Sequence, residues 1–394
     1  MISSRFLRRA RIAALVVLSA GCSRAVQVAS PSYNAGFLRR FGTDTLAVER
    51  FTRYSDRIEG EMVTRVPRLT RTTYLATVEP SGAVSRVETV RYGGLGTAAP
   101  VTQRVTAVVR NDTAHLTIVR NDSTINRAVA VQPRTIAMLS GSVAMDEMGA
   151  TMAAAAPAGG ASVAYYAVGA EENHTAHVVR FAGDSLRLVA DGDTLRARVD
   201  ESGRILSAVN SPAQGIRTTI ERISWSDAGN LAQAFAARLG GGGLGPLSPR
   251  DTVRASVGGA SVLVDYSRPS KRGRTIFGGI VPWDTVWRTG ANEATTLVTD
   301  KDLMIGGTHV PAGTYTLYSR PSASGWKLIV NKNTGQWGTE YKQEHDLARI
   351  PLTVEKVSTP VERFTIAIES QSSGGVIRLR WDDTEAWVPF TVNP

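Results

Sequence analysis

The sequence predicts a mainly β protein in two parts: an N-terminal antiparallel meander with one or two helices, and a C-terminal antiparallel β-sandwich, jelly-roll-like. Three observations carry this. Between Cys22 and Trp225, short alternating runs of apolar and polar residues are broken by polar turns at a spacing of about ten residues. From Leu247 onward, eight more β-rich runs are separated by glycine and proline. Between the two series stand Gly240-Gly241-Gly242-Gly243 and Leu244-Gly245-Pro246. Consecutive glycines have the freest backbone and no side chains to pack, so 240–247 is expected to be a linker between a domain over 22–239 and a domain over 248–394. A chain of 394 residues, 42% hydrophobic and 20% charged, has the length and composition for two globular cores.

Residues 1–21 read as a processing signal. Arg5, Arg8, Arg9 and Arg11 form a positive segment ahead of the apolar run Ile12 to Ala20. That run is shorter than the roughly 20 residues a membrane span needs, and it fits a secretory signal peptide. Leu18-Ser19-Ala20-Gly21-Cys22 resembles a bacterial lipobox, although Ser19 stands where the strongest examples have leucine. The resemblance implies lipidation of Cys22 and a place in the cell envelope, anchored on the periplasmic side. Ser23 favours the outer membrane by similarity to known sorting patterns. An ordinary signal peptide with a chance cysteine is the alternative. Cys22 is the single cysteine, so no intramolecular disulfide can form. Loss of the four N-terminal arginines lowers the formal charge from +10 to +6. A moderate positive charge suits solubility beside an anionic membrane, and without a basic helix or lysine run nucleic acid is not an expected partner.

Taken in order, the elements begin with strand-like runs at Thr72 to Thr77 and Val84 to Tyr92, separated by Pro80-Ser81-Gly82. Turn signals follow at Arg110-Asn111-Asp112, Arg120-Asn121-Asp122, Ala182-Gly183-Asp184, Asp191-Gly192-Asp193 and Glu201-Ser202-Gly203. Turns of this kind between β-rich runs indicate successive hairpins. Gly141 to Ala156 reads as a helix ended by Pro157 and Gly159-Gly160. It either covers one face of the sheet or closes an apolar groove of the kind a lipophilic-molecule carrier needs. Ser226-Asp227 is positioned to cap a helix to Leu239 whose apolar face is Leu231, Ala232, Phe235 and Ala236. Beyond the linker, strands are expected over 252–257, 261–266, 294–298, 314–318, 326–331, 363–369, 376–381 and 387–391.

Two stretches of the second part are distinctive: DYSRPSKRGRTIFGGIVPWDTVWRTGANEAT (Asp265 to Thr295) and IGGTHVPAGTYTLYSRP (Ile305 to Pro321). With Trp326 to Asn331, Gln336-Trp337-Gly338 and Trp387-Val388-Pro389-Phe390, they closely resemble the bacterial domain of unknown function 2911 family, found in secreted proteins. The resemblance runs from Ser248 to near the C-terminus and implies neither a catalytic residue nor a cofactor.

The residues themselves narrow the chemistry. No GxSxG elbow, HExxH helix, phosphate-binding glycine loop or zinc-type cysteine set occurs. His174 and His177 lie three apart on a strand and so point to opposite faces, which argues against a metal pair. Asp300 with Asp302, and Asp382 with Asp383, stand beside turn signals where solvated aspartate is usual. The segment Tyr266 to Glu293 is different. Arg268, Arg272, Arg274, Trp287, Arg288, Asn292 and Glu293 fall together there. Arginine forks pair with carboxylate, phosphate or sulfate, and tryptophan offers a flat face to a sugar ring. These seven residues are the candidate pocket for an anionic or sugar ligand, with Arg268 and Arg288 expected to converge near Glu293. The competing reading is an internal ion-pair network with both Trp283 and Trp287 in the core. The expected function is non-catalytic binding by a lipid-anchored envelope protein. The alternatives are a hydrolase or lyase using Glu293 or Asp265 beside the arginines, and a lipophilic carrier in the N-terminal sheet.

Overall fold

The computed structural model describes residues 30–393 except 97, 122, 155–160, 169–173, 183, 191–192, 212–216 and 240–242. Cys22, Pro157 and Gly159-Gly160 therefore lie outside the described residues. The protein is mainly β, with two α-helices. The first part comprises β1 (Tyr33–Phe41), β2 (Asp44–Arg53), β3 (Arg57–Thr64), β4 (Thr70–Val78), β5 (Val84–Tyr92), β6 (Val101–Arg110), β7 (Thr113–Arg120), β8 (Ser123–Ala130) and β9 (Ile136–Met138). Helix α1 (Val143–Ala154) follows, then β10 (Ala161–Ala167), β11 (His174–Ala182), β12 (Ser185–Ala190), β13 (Asp193–Val199), β14 (Ile205–Ser211), β15 (Thr218–Ile223) and helix α2 (Trp225–Leu239).

These strands are not an open meander. β1 pairs with β15, β9 bridges β10 to β5, and β5 pairs in turn with β4. Twelve strands, β1–β5 and β9–β15, thus close into a barrel, while β6–β8 leave it as a ribbon attached to β5. The turn signals did mark hairpins: Asn111, Asp112 and Asn121 all have positive φ at the turns joining β6, β7 and β8. Those signals specify neighbours in sequence. Closure depends on β1 meeting β15, with Phe37 opposite Arg222, and no local pattern encodes that long-range register.

Helix α1 also departs from expectation, for it occupies the barrel lumen. Its first backbone N–H groups, at Val143 and Ala144, donate to Glu49 of β2 at 2.7 and 3.3 Å. On the same helix, Glu147 accepts from Tyr33 of β1 and from the Ile205 amide of β14. Across the lumen, Gly149 comes so close to β10 that a Cβ there would lie 2.0 Å from the Tyr165 hydroxyl. Buried residues run through Ser142–Met145 and again through Glu147–Ala150, as they must for a helix covered on all sides. Helix α2 lies outside, packing Ala228 and Phe235 on Leu38, Val48, Val63 and Leu69. Its cap is Ser224, two residues before the expected Ser226: the Ser224 hydroxyl accepts from the Asp227 amide at 3.0 Å and donates to the Asp227 carboxylate at 2.7 Å.

The second part contains β16 (Arg250–Val257), β17 (Ala260–Ser267), β18 (Thr295–Thr299), β19 (Leu303–Ile305), β20 (Thr308–Val310), β21 (Gly313–Arg320), β22 (Trp326–Asn331), β23 (Asp346–Gln371) and β24 (Gly374–Val392). All nine belong to one antiparallel sheet, ordered β16-β17-β18-β21-β22-β23-β24-β19-β20. This corrects the expected sandwich of two sheets. The long strand β23 serves both halves: Ala348 to Leu352 pair with β22, and Thr353 to Gln371 pair with β24. The sheet curls until β17 touches the far half of β23, where the Tyr266 hydroxyl accepts from the Ile366 amide at 2.9 Å. Between the halves lies a core of Val262, Val264, Leu317, Leu328, Ile366, Leu379 and Phe390 among others. It shares no residue with the barrel core.

The two parts touch through turns. Thr43, in the turn between β1 and β2, donates its amide to the Arg272 carbonyl at 3.1 Å, and Arg272 forms an ion pair with Asp44. The expected linker is docked where it is described: Leu244 and Gly245 donate to the Arg65 and Pro67 carbonyls at 2.7 and 2.9 Å. A Cβ on Gly243 would stand 2.5 Å from the Pro67 carbonyl, so glycine serves close approach at that position.

Candidate functional site

The seven candidate residues separate into three groups. Arg268 is a frame element. Its guanidinium donates to Asp251 at 2.8 Å, to the Thr365 hydroxyl at 2.7 Å and to the Phe364 carbonyl at 3.1 Å, tying β16, β17 and β23 together. Glu293 is 61% exposed on the outer surface, 3.6 Å from Arg250. The expected convergence of Arg268 and Arg288 on Glu293 therefore does not form, because Asp251 neutralises Arg268 and Arg250 faces Glu293. Asn292, at positive φ, accepts the Gly338 amide through its backbone carbonyl at 2.9 Å. This is a turn role.

Arg272 belongs to the contact with the barrel. The turn Lys271-Arg272-Gly273-Arg274, with Arg272 and Gly273 at positive φ at its centre, is held by the Lys271 amide on the Glu362 carbonyl and the Arg272 amide on the Glu362 carboxylate. Burial lowers the Arg272 guanidinium below its ordinary pKa, and its Nε has no hydrogen-bond partner.

Arg274, Trp287 and Arg288 do come together, in a cleft of about 850 Å³ at the junction of the two parts. Arg274 donates to the Lys271 and Ser270 carbonyls at 3.0 and 2.5 Å and lies 3.9 Å from the centre of the Phe41 ring, at the end of β1. Burial, with the charge of Arg272 nearby, pulls its pKa down to about 10. Trp287 is anchored by reciprocal backbone bonds with Ser319 and stacks on Trp381 at 5.7 Å with 19° between the planes. One face of its ring belongs to the core and it also walls the cleft. Trp283, by contrast, is 46% exposed.

Arg288 has neither an ion pair nor a side-chain hydrogen bond among the described residues, and burial lowers its pKa. Its stem is fitted across Gly338, where a Cβ would come within 2.5 Å of the arginine Cδ. The Gln336-Trp337-Gly338 stretch thus makes room for this side chain. Sequence reasoning missed that link, and it missed Arg217, which the barrel contributes to the same cleft just ahead of β15. Three arginines line the cleft, and no aspartate or glutamate does among the described residues. Arg217 gave no signal, since its motif-free segment lies far from Arg288 in sequence.

Asp265 is engaged by Arg250 and by the Thr252 hydroxyl, and with Glu293 it lies outside the cleft lining. The lumen that a lipophilic carrier would use is occupied by α1. No group of three metal-ligating side chains occurs among the described residues.

No curated protein matches the chain. Among solved structures, a β-barrel-like protein of the domain of unknown function DUF1849 from Brucella abortus matches at 10% identity, covering 48% of this chain and 95% of that one, with a TM-score of 0.34. A botulinum neurotoxin type C structure, from work on its interaction with two ganglioside molecules, matches at 8% identity over 92% and 89% of the two chains, with a TM-score of 0.12. Both likenesses are too weak to carry an argument about this protein. The family comparison is specific: residues 248–390, which hold the curled sheet and the Arg274–Arg288 side of the cleft, match the family described as protein of unknown function (DUF2911).

Proposed function

We propose that this protein is an exported, lipid-anchored component of the bacterial envelope that binds an anionic ligand without transforming it. One observation carries the binding half: Arg217, Arg274 and Arg288 face a common cleft with no carboxylate in its lining among the described residues. Guanidinium groups without an ion pair among the described residues, in a partly desolvated cleft, favour an anion, and charge-assisted bonds to one contribute about 1.5–3 kcal/mol each. Trp287 and Tyr318 give the cleft aromatic walls, which suits a ligand with a flat or apolar portion beside its charge, an acidic sugar included. The non-catalytic reading rests on the position of Asp265 and Glu293, both held away from the three arginines.

Binding is tested by thermal melts of the full chain with phosphate, sulfate, glucuronate and uncharged glucose. Anions should raise Tm and glucose should not. Arg288→Ala should abolish the shift while lowering stability in the absence of ligand by only about 1 kcal/mol, from the lost packing of its stem against Gly338. A melt indifferent to every anion would remove the binding reading.

The anchoring half rests on the lipobox-like segment ending at Cys22. Metabolic labelling with a fatty acid should mark the wild type and not Cys22→Ala. Label retained by the variant would refute lipidation at that residue.

A further inference from the structure

The rim of the cleft carries a feature that a simple anion does not use. Ile280 and Trp283 are 44% and 46% exposed, on the loop between Arg274 and Trp287. Single exposed apolar residues are ordinary on protein surfaces. These two differ because the loop that presents them is fixed. The Gly278 amide donates to the Val281 carbonyl at 2.9 Å, the Ile280 amide to the Thr275 carbonyl at 3.2 Å, and the Asp284 amide to the Pro321 carbonyl at 2.8 Å. Trp283 leans on Phe277 with ring centres 6.3 Å apart, and a Cβ on Gly278 would stand 2.5 Å from its indole nitrogen. The indole is therefore seated against a glycine and still left open to solvent. Ile280 itself lines the cleft, with Val281, Pro282, Val286 and Ala291 among its apolar residues and Thr275 and Thr285 among its polar ones, and Trp283 follows Pro282 on the same loop, just outside that lining.

We propose that the ligand is an anionic amphiphile, its charged head group held by Arg274 and Arg288 and its apolar tail lying along Ile280 and Trp283. This rests on the anion-binding reading above and adds the class of ligand. Charge and apolar surface are both required by the geometry. A free sugar acid would meet the arginines but leave the exposed Ile280 and Trp283 side chains uncovered, whereas a hydrocarbon alone would desolvate guanidinium groups without compensation. An amphiphile satisfies both, since each buried methylene adds to affinity and an indole suits the boundary between apolar and aqueous surroundings.

The test uses the full chain and isothermal titration with three probes: glycerol 3-phosphate, monomeric dihexanoyl phosphatidic acid, and phosphatidylcholine vesicles with or without phosphatidic acid. Dihexanoyl phosphatidic acid should bind about tenfold or more tighter than glycerol 3-phosphate. The double variant Ile280→Ser/Trp283→Ala should bring the two affinities together chiefly by weakening dihexanoyl phosphatidic acid, and Arg288→Ala should weaken both. Binding of the monomer together with vesicles that contain phosphatidic acid supports a membrane-presented lipid. Binding of the monomer alone supports capture of a released one. Equal affinity for glycerol 3-phosphate and the short-chain lipid, or an unchanged preference in the double variant, would overturn the amphiphile inference while leaving anion binding intact. Failure of both soluble probes to bind would overturn the anion reading itself.

Discussion

In the barrel lumen and in the cleft, charges are buried in opposite ways. Glu49 lies inside the barrel at 3% exposure, with burial raising its pKa. Yet four donors converge on it: the Tyr74 and Ser142 hydroxyls at 2.6 and 2.5 Å, and the Val143 and Ala144 amides. Glu147, also buried, is met by Arg222 at 2.6 Å, by Tyr33 at 2.9 Å and by the Ile205 amide at 2.6 Å. The cleft arginines have no such closure, for Arg274 meets only carbonyls and a ring, and Arg288 meets no acceptor among the described residues. Burial of a charge is thus a poor guide to function. What separates the two regions is whether the protein itself supplies the opposite partners.

The largest effect that could break this comparison is at Glu49. Glu49→Ala would leave a helix N-terminus and two hydroxyls unsatisfied inside the barrel, at a cost of about 3–5 kcal/mol read by urea unfolding. A loss below about 1 kcal/mol would mean that water replaces the carboxylate and that the lumen is not sealed around it.

Next in size is Arg268, which the sequence placed with the ligand residues and the structure places in the frame. Arg268→Ala should cost about 1.5–3 kcal/mol through the orphaned Asp251 and the lost links to β23, and should leave anion binding unchanged. Lost binding with unchanged stability would return Arg268 to the cleft and dissolve the division.

That reassignment shows what the sequence could and could not convey. Strand positions in the second part were readable because apolar alternation is local: the runs expected at 261–266, 314–318 and 326–331 coincide with β17, β21 and β22. Turns were readable from Asn111 and Asn121, whose side chains tolerate positive φ. Sheet closure was not, since β1–β15 pairing joins the two ends of the barrel. The C-terminal site was half legible. Arginine content marked the segment that carries Arg274 and Arg288, but the partners of the other arginines come from elsewhere, Asp251 for Arg268 and Asp44 for Arg272. Arg217 reaches the cleft only because the barrel docks beside the curled sheet.

Asp146 offers the smallest and most discriminating test, because it is a lumen carboxylate without the closure of its neighbours. It lies in the first turn of α1, partly buried, and its side chain accepts no hydrogen bond among the described residues. Burial raises its pKa from 3.8 to about 6, with Arg39 pulling it down and Glu49 pushing it further up. A folded pKa above the unfolded one means that the native state holds the proton more tightly. The stabilising contribution is therefore complete below about 3.8 and is lost as pH rises to about 6. The whole shift would correspond to about 3 kcal/mol, and partial solvent access reduces this to roughly 1–2 kcal/mol. Asp146→Asn removes the titration but preserves the size of the side chain. The variant should match the wild type near pH 3.5 and exceed it at pH 7, with the gap opening between about pH 4 and 6. Taking the difference between the two proteins cancels the other carboxylates, Glu49 and Glu147 included, wherever they titrate alike in both. Parallel stability curves across that range would show that Asp146 ionises freely. Its charge would then be compensated from the solvent side, and the lumen, like the cleft, would hold a charge that the protein does not close.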